Sequence, residues 1–414
     1  MTSPHDAAAP APAKKLIHGS IAADRGIVQD GLLAVSGDRI VYAGRADHFD
    51  EPGFEDVDAA NVISLPAGHH VLPGLVDVHN HGGNGGDFPS GDESSARKAI
   101  DFLHRAGTTT LLASMVTASP EDLLAGIGVH AKLTGEGLLA GIHLEGPFLS
   151  HARCGAQNPA FLLDPDVELA ARLIEAGQGH IATMTYAPEL PGADELVDLL
   201  TSHGITPSVG HTACDTRTAW DSLEQAREGL DSTGFDGTSG RPTVTHLFNG
   251  MPPLHHRSPG PVAACLRAAA AGQAAVELVA DNTHLDPETV KMVFSLVGAG
   301  NILLVTDSMA AAGLADGQYM LGPSPVTVTK GVATLDATGS IAGGTATLLD
   351  VVRRTVQAGV KLHDAVLSAS AVPAAVLGLT DEVGALRRGL RADALVVDSE
   401  LGLKRVLRAG TWLN

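Results

Sequence analysis

Between Val71 and Gly378 the chain repeats one pattern, an apolar run of strand length followed by a stretch of helical character. No other feature constrains the fold as much, because parallel strands need long crossover connections and helices are the usual ones. Eight runs can be counted: GLVDVHNH (74–81), TTTLLASMVT (108–117), LLAGIHLEG (138–146), HIATMTYAPE (180–189), ITPSVGHT (205–212), TVTHLFN (243–249), VELVADNTH (276–284) and NILLVTDS (301–308). SSARKAIDFLHRAG, PDVELAARLIEAG and DELVDLLTSHG lie between them, and each ends at or near a glycine able to close a helix. Eight strand–helix units predict an α/β fold of the (β/α)8 TIM-barrel type over residues 71–379. A six-stranded doubly wound sheet is the rival, reached by merging two weak runs.

The two ends read differently. LIHGSIAA, DGLLAVSGDRIVYAGR and NVISLPAG are short alternating runs broken by Gly and Asp, and the last thirty residues continue in the same way. Each end is too short to bury a core alone, so residues 14–70 and 380–414 are expected to pair into one small β-sandwich domain with the barrel inserted between them. Residues 1–13 are expected to be a disordered start. EGLDSTGFDGTSGRP (228–242) and the glycine run after His81 are both expected to be flexible loops.

Composition narrows the function. Lys plus Arg number 27 and Asp plus Glu 47, so 27 − 47 gives a net charge of −20, which repels nucleic acid and anionic membranes. No stretch reaches the roughly 18 apolar residues of a membrane span. Three scattered cysteines, Cys154, Cys214 and Cys265, build neither a disulfide framework nor a cysteine-rich zinc module. A cytoplasmic location is expected.

In a TIM barrel, chemistry gathers at the C-terminal ends of the strands. Here those ends carry Asp77-Val78-His79-Asn80-His81, His143-Leu144-Glu145, His211, His246, Asp281 through His284, and Asp307. Two imidazoles two apart on a strand point the same way and can chelate one ion. Any one of these residues could be an ordinary core histidine or a capping carboxylate; six strands delivering them to one face predict a divalent metal site. Nitrogen and carboxylate donors without thiolate suit Zn²⁺, Fe²⁺ or Mn²⁺.

HLEGPF (143–148), CGAQNP (154–159), SVGHT (208–212), THLFNGM (245–251), HHRSPG (255–260), DNTH (281–284), VTDSM (305–309) and IAGGT (341–345) together resemble the N-acetylglucosamine-6-phosphate deacetylase family of the amidohydrolase superfamily. The resemblance implies metal-dependent hydrolysis of the N-acetyl group of a phosphorylated amino sugar. It implies Glu145, His211 and His246 as principal metal ligands, with His79 and His81 at a second position. One or two ions are expected, Zn²⁺ first, with Fe²⁺, Mn²⁺ or Co²⁺ as alternatives. Asp307 matches the catalytic acid/base. Ala156, Gln157, Asn249, Gly250, Arg257, His284, Ile341, Ala342 and Gly343 match substrate-binding positions, with Arg257 and His284 at the phosphate and Arg257 reaching the neighbouring subunit of a homodimer.

This chain departs from the pattern at Gln157, where family members usually carry His, and at Cys154, where many have Lys. The remaining alternatives are a deacylase acting on N-acetylgalactosamine 6-phosphate or an N-acyl amino acid, and a non-catalytic structural relative. Such relatives commonly lose metal ligands, and none is lost here.

Overall fold

The computed structural model describes residues 12–23, 26–234 and 239–413. The chain divides into two compact units, Met1–Pro73 with Ala385–Asn414, and Gly74–Gly384.

The first unit is a small β-sandwich domain built from both ends of the chain. Its strands run in the order Thr411–Leu413, Leu403–Arg408, Ala394–Val397, His70–Pro73, Lys14–Ala23, Gly26–Ser36 and Arg39–Arg45, with Val62–Ser64 also paired to Lys14–Ala23. The termini meet where Ala394–Val397 pairs antiparallel with His70–Pro73. Alternation along these strands turns Ile17, Leu33, Val35 and Ile40 onto the same core as Val71, Ala394 and Leu407. Neither end alone supplies that core.

The second unit contains the barrel. Eight parallel strands follow in chain order: Leu75–Asp77, Thr108–Met115, Gly141–Glu145, Ile181–Tyr186, Thr206–Val209, Thr243–Val244, Ala275–Leu278 and Ile302–Leu304. The ring closes just past the ends of the first and eighth strands. There Asn80 bridges Ser308, the Asp307 amide donates to the His79 carbonyl at 2.8 Å, and the Thr306 hydroxyl donates to Asp77 at 2.6 Å. Eight strands close into this ring, so the doubly wound rival is excluded. Asp92, Ser119, Asp166, Asp215, Asp286 and Thr347 cap helix starts with side-chain oxygens, satisfying amides that would otherwise have no partner.

Two expected loops are corrected. The first residues of the 228–242 stretch belong to the helix Thr216–Thr233, while 235–238 lie outside the described residues. The expected disordered start likewise lies outside them, apart from Pro12 and Ala13. The glycine run after His81 is a hairpin whose paired segments, Gly82–Gly83 against Gly86–Asp87, are buried while Gly85 at its turn is exposed. Its glycines serve close approach: a Cβ on Gly86 would lie 2.5 Å from backbone atoms of the helix Glu93–Arg105.

One element is new. After the eighth strand, Gly317–Leu321, Ser324–Thr329 and Val332–Leu335 form a three-stranded antiparallel sheet. Val326, Val328 and Leu335 pack with Met309, Ala311 and Ala342, which fixes the segment carrying Ile341 and Gly343.

Candidate active site

The strands stop before most of the residues that matter. The sixth ends at Val244, two residues short of His246, and the eighth at Leu304, three short of Asp307. His211, His246 and Asp307 then take positive φ values of 45°, 27° and 47°, a region that side chains other than glycine seldom adopt. Such backbone persists only where its surroundings over-determine it, and here it aims three polar side chains inward.

Two groups of donors result, His79 with His81 and Asp307, and Glu145 with His211 and His246, each buried and each with ligand atoms within 4.8 Å of one another. Glu145 faces both. Its Oε1 lies 2.9 Å from the Nε2 atoms of His211 and of His246, and its Oε2 lies 3.3 Å from His81 Nε2 and 3.8 Å from His79 Nε2. Asp307 Oδ1 is 3.2 Å from His81 Nε2 and 3.5 Å from His79 Nε2.

The far sides of the rings decide what these groups can hold. His79 Nδ1 meets a Glu277 carboxylate oxygen at 2.9 Å, His81 Nδ1 the Ser114 carbonyl at 3.1 Å, and His211 Nδ1 the Arg153 carbonyl at 2.8 Å. Each acceptor holds a proton on Nδ1, so that Nε2 is the nitrogen left to bind an ion once its own proton is displaced. The Nε2 atoms of His79 and His81 then face each other at 3.2 Å, and those of His211 and His246 at 3.1 Å. Nitrogens that close must share either a proton or a metal ion, and the carboxylates beside them complete a donor set for the latter. Both groups are compatible with a divalent metal.

The electrostatics agree. Burial pushes the Glu145 carboxyl up, but hydrogen bonds from His211, His246, His79 and His81 outweigh it and hold the group well below the usual carboxylate range. Burial opposes charge on His81, yet Asp307 and Glu145 raise its pKa to about 9. The site strongly favours positive charge at its centre.

Above the donors lies a cavity of about 210 Å³, lined by His81, Glu145, Ala156, Gln157, His211, His246, Asn249, Gly250, His284, Asp307, Ile341 and Gly343, together with Val116, Gly155, Leu321 and Ser340. Of the residues the resemblance puts at the substrate, most are on this wall. Ala342 is not; it is fully buried in the core behind. Arg257 is not either: it is exposed, with its guanidinium against the His256 ring.

Gln157 is pinned at both ends, its amide donating to Glu145 Oε2 at 2.7 Å and its oxygen accepting from the Thr117 amide at 2.7 Å. His284 is held by Asp281 at 2.9 Å and reaches to 3.7 Å from Asp307.

Not every polar strand end is a donor to the centre. His143 bonds through both nitrogens to hydroxyls, those of Ser114 and Thr185 at 2.9 and 2.8 Å, and burial drives its pKa well down, so it forms a neutral floor beneath the site. Asp77 serves barrel closure.

Sequence reading missed Glu277, Val116, Gly155, Leu321 and Ser340. A charged residue within the apolar run VELVA was the available signal for Glu277. The others sit in loops or in the added sheet.

A barrel with imidazole and carboxylate donors at its strand ends is the architecture of a metal-dependent hydrolase. The family model "Amidohydrolase family" matches residues 70–412. N-acetylglucosamine-6-phosphate deacetylase from Bacillus subtilis (strain 168) is 30% identical over 390 residues, covering 92% of each chain, and that from Danio rerio is 34% identical over 377 residues, covering 87% of each. Among solved structures, an aspartate-to-alanine variant of N-acetyl-D-glucosamine-6-phosphate deacetylase from Mycobacterium smegmatis, in complex with N-acetyl-D-glucosamine-6-phosphate, superposes with a TM-score of 0.85 at 35% identity, covering 97% of this chain and 99% of that one. The chain belongs to the amidohydrolase family, and within it to the N-acetylglucosamine-6-phosphate deacetylases.

Proposed function

We propose that this chain hydrolyses the N-acetyl group of N-acetyl-D-glucosamine 6-phosphate, giving D-glucosamine 6-phosphate and acetate. The observation that carries the reading is the convergence of two buried donor groups, one of them including Asp307, on one cavity, in a chain whose relatives bear that activity by name.

Glu145, His211 and His246 would hold the principal ion, and His79, His81 and Asp307 a second, with Zn²⁺ the first choice for this donor set. When bound, a divalent ion polarises an amide carbonyl and lowers the pKa of water from 15.7 towards about 7.

The remaining work falls to the chain. Asp307 faces the cavity, and although burial raises its pKa, His79 and His81 hold it well below the ordinary carboxylate range, so it stands ionised to take a proton. It accepts the proton of the attacking water on a carboxylate oxygen and delivers it to the departing amine as the C–N bond breaks. Ala156, Asn249, Gly250, His284, Ile341 and Gly343 line the space for the sugar, Ala342 sets that segment from behind, and pinned Gln157 fixes the orientation of Glu145.

Arg257 supplies a planar fork for phosphate. It lies off the wall of its own chain's cavity, and in the homodimer we propose it enters the neighbouring site. Among the described residues no helix is long and apolar enough to cross a membrane. Cys154, Cys214 and Cys265 are free thiols, which fits a reducing, cytoplasmic setting.

Acetate release from a panel of acetamido sugars tests the reading. N-Acetylglucosamine 6-phosphate should exceed its galacto epimer, the unphosphorylated sugar and N-acetyl amino acids in kcat/KM; a higher value on any of these reassigns the substrate.

A further inference from the structure

One buried carboxylate touches both donor groups from below and belongs to neither. Glu277, on the seventh barrel strand, is 2% exposed. Its Oε2 meets His79 Nδ1 at 2.9 Å and accepts the backbone N–H of His246 at 3.0 Å. The first contact governs a ring of the His79–His81–Asp307 group, and the second governs the main chain of a residue of the Glu145–His211–His246 group. His246 holds a positive φ of 27°, so its peptide orientation depends on such outside support. Its own Nδ1 is buried without a hydrogen-bond partner, which leaves the backbone contact to Glu277 as a hold on that residue from beneath.

We infer that Glu277 is a positioning residue for metal binding: with one oxygen it keeps the His79 proton on Nδ1, leaving Nε2 as the donor, and fixes the turn that presents His246. The inference rests on the reading that the two groups hold metal. What Glu277 supplies is a hydrogen-bond acceptor at one point in space, so reach matters more than charge. Glu277→Asp keeps the charge but withdraws the oxygen by one methylene. Glu277→Gln keeps the reach and an acceptor oxygen while removing the charge.

The test is Zn²⁺ affinity of metal-stripped protein, measured by competition with a chromophoric chelator, for wild type, Glu277→Asp and Glu277→Gln, with thermal unfolding of the stripped proteins alongside. Glu277→Asp should bind Zn²⁺ about 10- to 100-fold more weakly, the range typical of lost outer partners of metal-binding histidines. Glu277→Gln should stay within about threefold of wild type, since it retains one oxygen able to accept from both His79 and His246.

A merely structural role would lower both melting temperatures and leave the affinity of the folded protein unchanged. Wild-type affinity in Glu277→Asp overturns the inference, and so does a loss in Glu277→Gln as large as that in Glu277→Asp. Wild type that takes up no Zn²⁺ at all contradicts the metal reading itself, and is thereby told apart from failure of the Glu277 role.

Discussion

In the proposed mechanism Asp307 meets two demands at once. It lies 3.2 Å from His81 Nε2 and opens onto the cavity, so it is placed both to complete a donor group and to move a proton. Asp307→Asn is nearly isosteric and keeps one carbonyl oxygen. It should retain the ion held by Glu145, His211 and His246, and lose at least about a hundredfold in kcat, the scale of a positioned acid/base. Metal content and turnover measured on one preparation check this; kcat within a few fold of wild type removes the role.

At the same scale, His130 shows what burial does where no acid compensates. Its Nε2 meets the Phe88 carbonyl at 2.9 Å, and burial lowers its pKa to about 4 despite that bond. The unfolded chain, with an ordinary histidine near 6.5, binds a proton that the folded chain refuses between those values. The stabilising contribution is therefore complete above about pH 6.5 and is lost as pH falls towards 4, about 3 kcal/mol in all. His130→Gln keeps a donor for Phe88 and does not titrate, so its melting temperature should fall less steeply than wild type across that window. Parallel curves would show that His130 is not a source of the acid sensitivity.

The residues of the two donor groups are legible in the sequence because each closes an apolar strand-like run, and in a barrel all such ends share one face. Glu277 was not, because a single acid inside an apolar run carries no sign of which way it points. Gln157 and Ala342 match substrate-binding positions by motif, but where each side chain goes, to Glu145 for Gln157 and into the core for Ala342, depends on packing that no local pattern encodes.

Among elements, the hairpin of Gly82–Gly83 and Gly86–Asp87 shows how a glycine run can serve close packing. It sits against the helix Glu93–Arg105 so closely that any side chain on Gly86 collides with backbone. Gly86→Ala should destabilise by about 1–3 kcal/mol, as overpacking of a fitted contact does, with a lowered denaturation midpoint. A mobile loop would absorb the methyl with no measurable change. Glycine richness alone could not separate these cases, since permissive backbone and close approach have the same composition.

The three-stranded sheet at 317–335 leaves little mark in the sequence for a different reason. Its alternation is short and partly exposed, and it follows the eighth strand of the barrel without a helix between its own strands. It matters because Leu321 lines the cavity and the core beneath the sheet seats Ala342.

At the level of the whole molecule, a chain with net charge −20 is asked to bind a phosphorylated sugar, so a local cation has to overcome a repulsive field. Arg257→Ala should therefore weaken the phosphorylated substrate roughly ten- to two-hundredfold while barely changing the unphosphorylated sugar. Equal losses on both would remove the phosphate role. If Arg257 serves the neighbouring subunit, mixing Arg257→Ala chains with Asp307→Asn chains should recover part of the activity in hybrid dimers, and a monomer in solution would rule that arrangement out.

The most direct measurement is acetate release from N-acetylglucosamine 6-phosphate by the stripped chain, before and after Zn²⁺ is restored in steps, with His211→Ala treated in parallel. The stripped protein should be inactive, turnover should return as Zn²⁺ is bound, and His211→Ala should neither hold the principal ion nor turn over. Undiminished hydrolysis by stripped protein, or full activity in His211→Ala, would contradict a catalytic centre built on Glu145, His211 and His246.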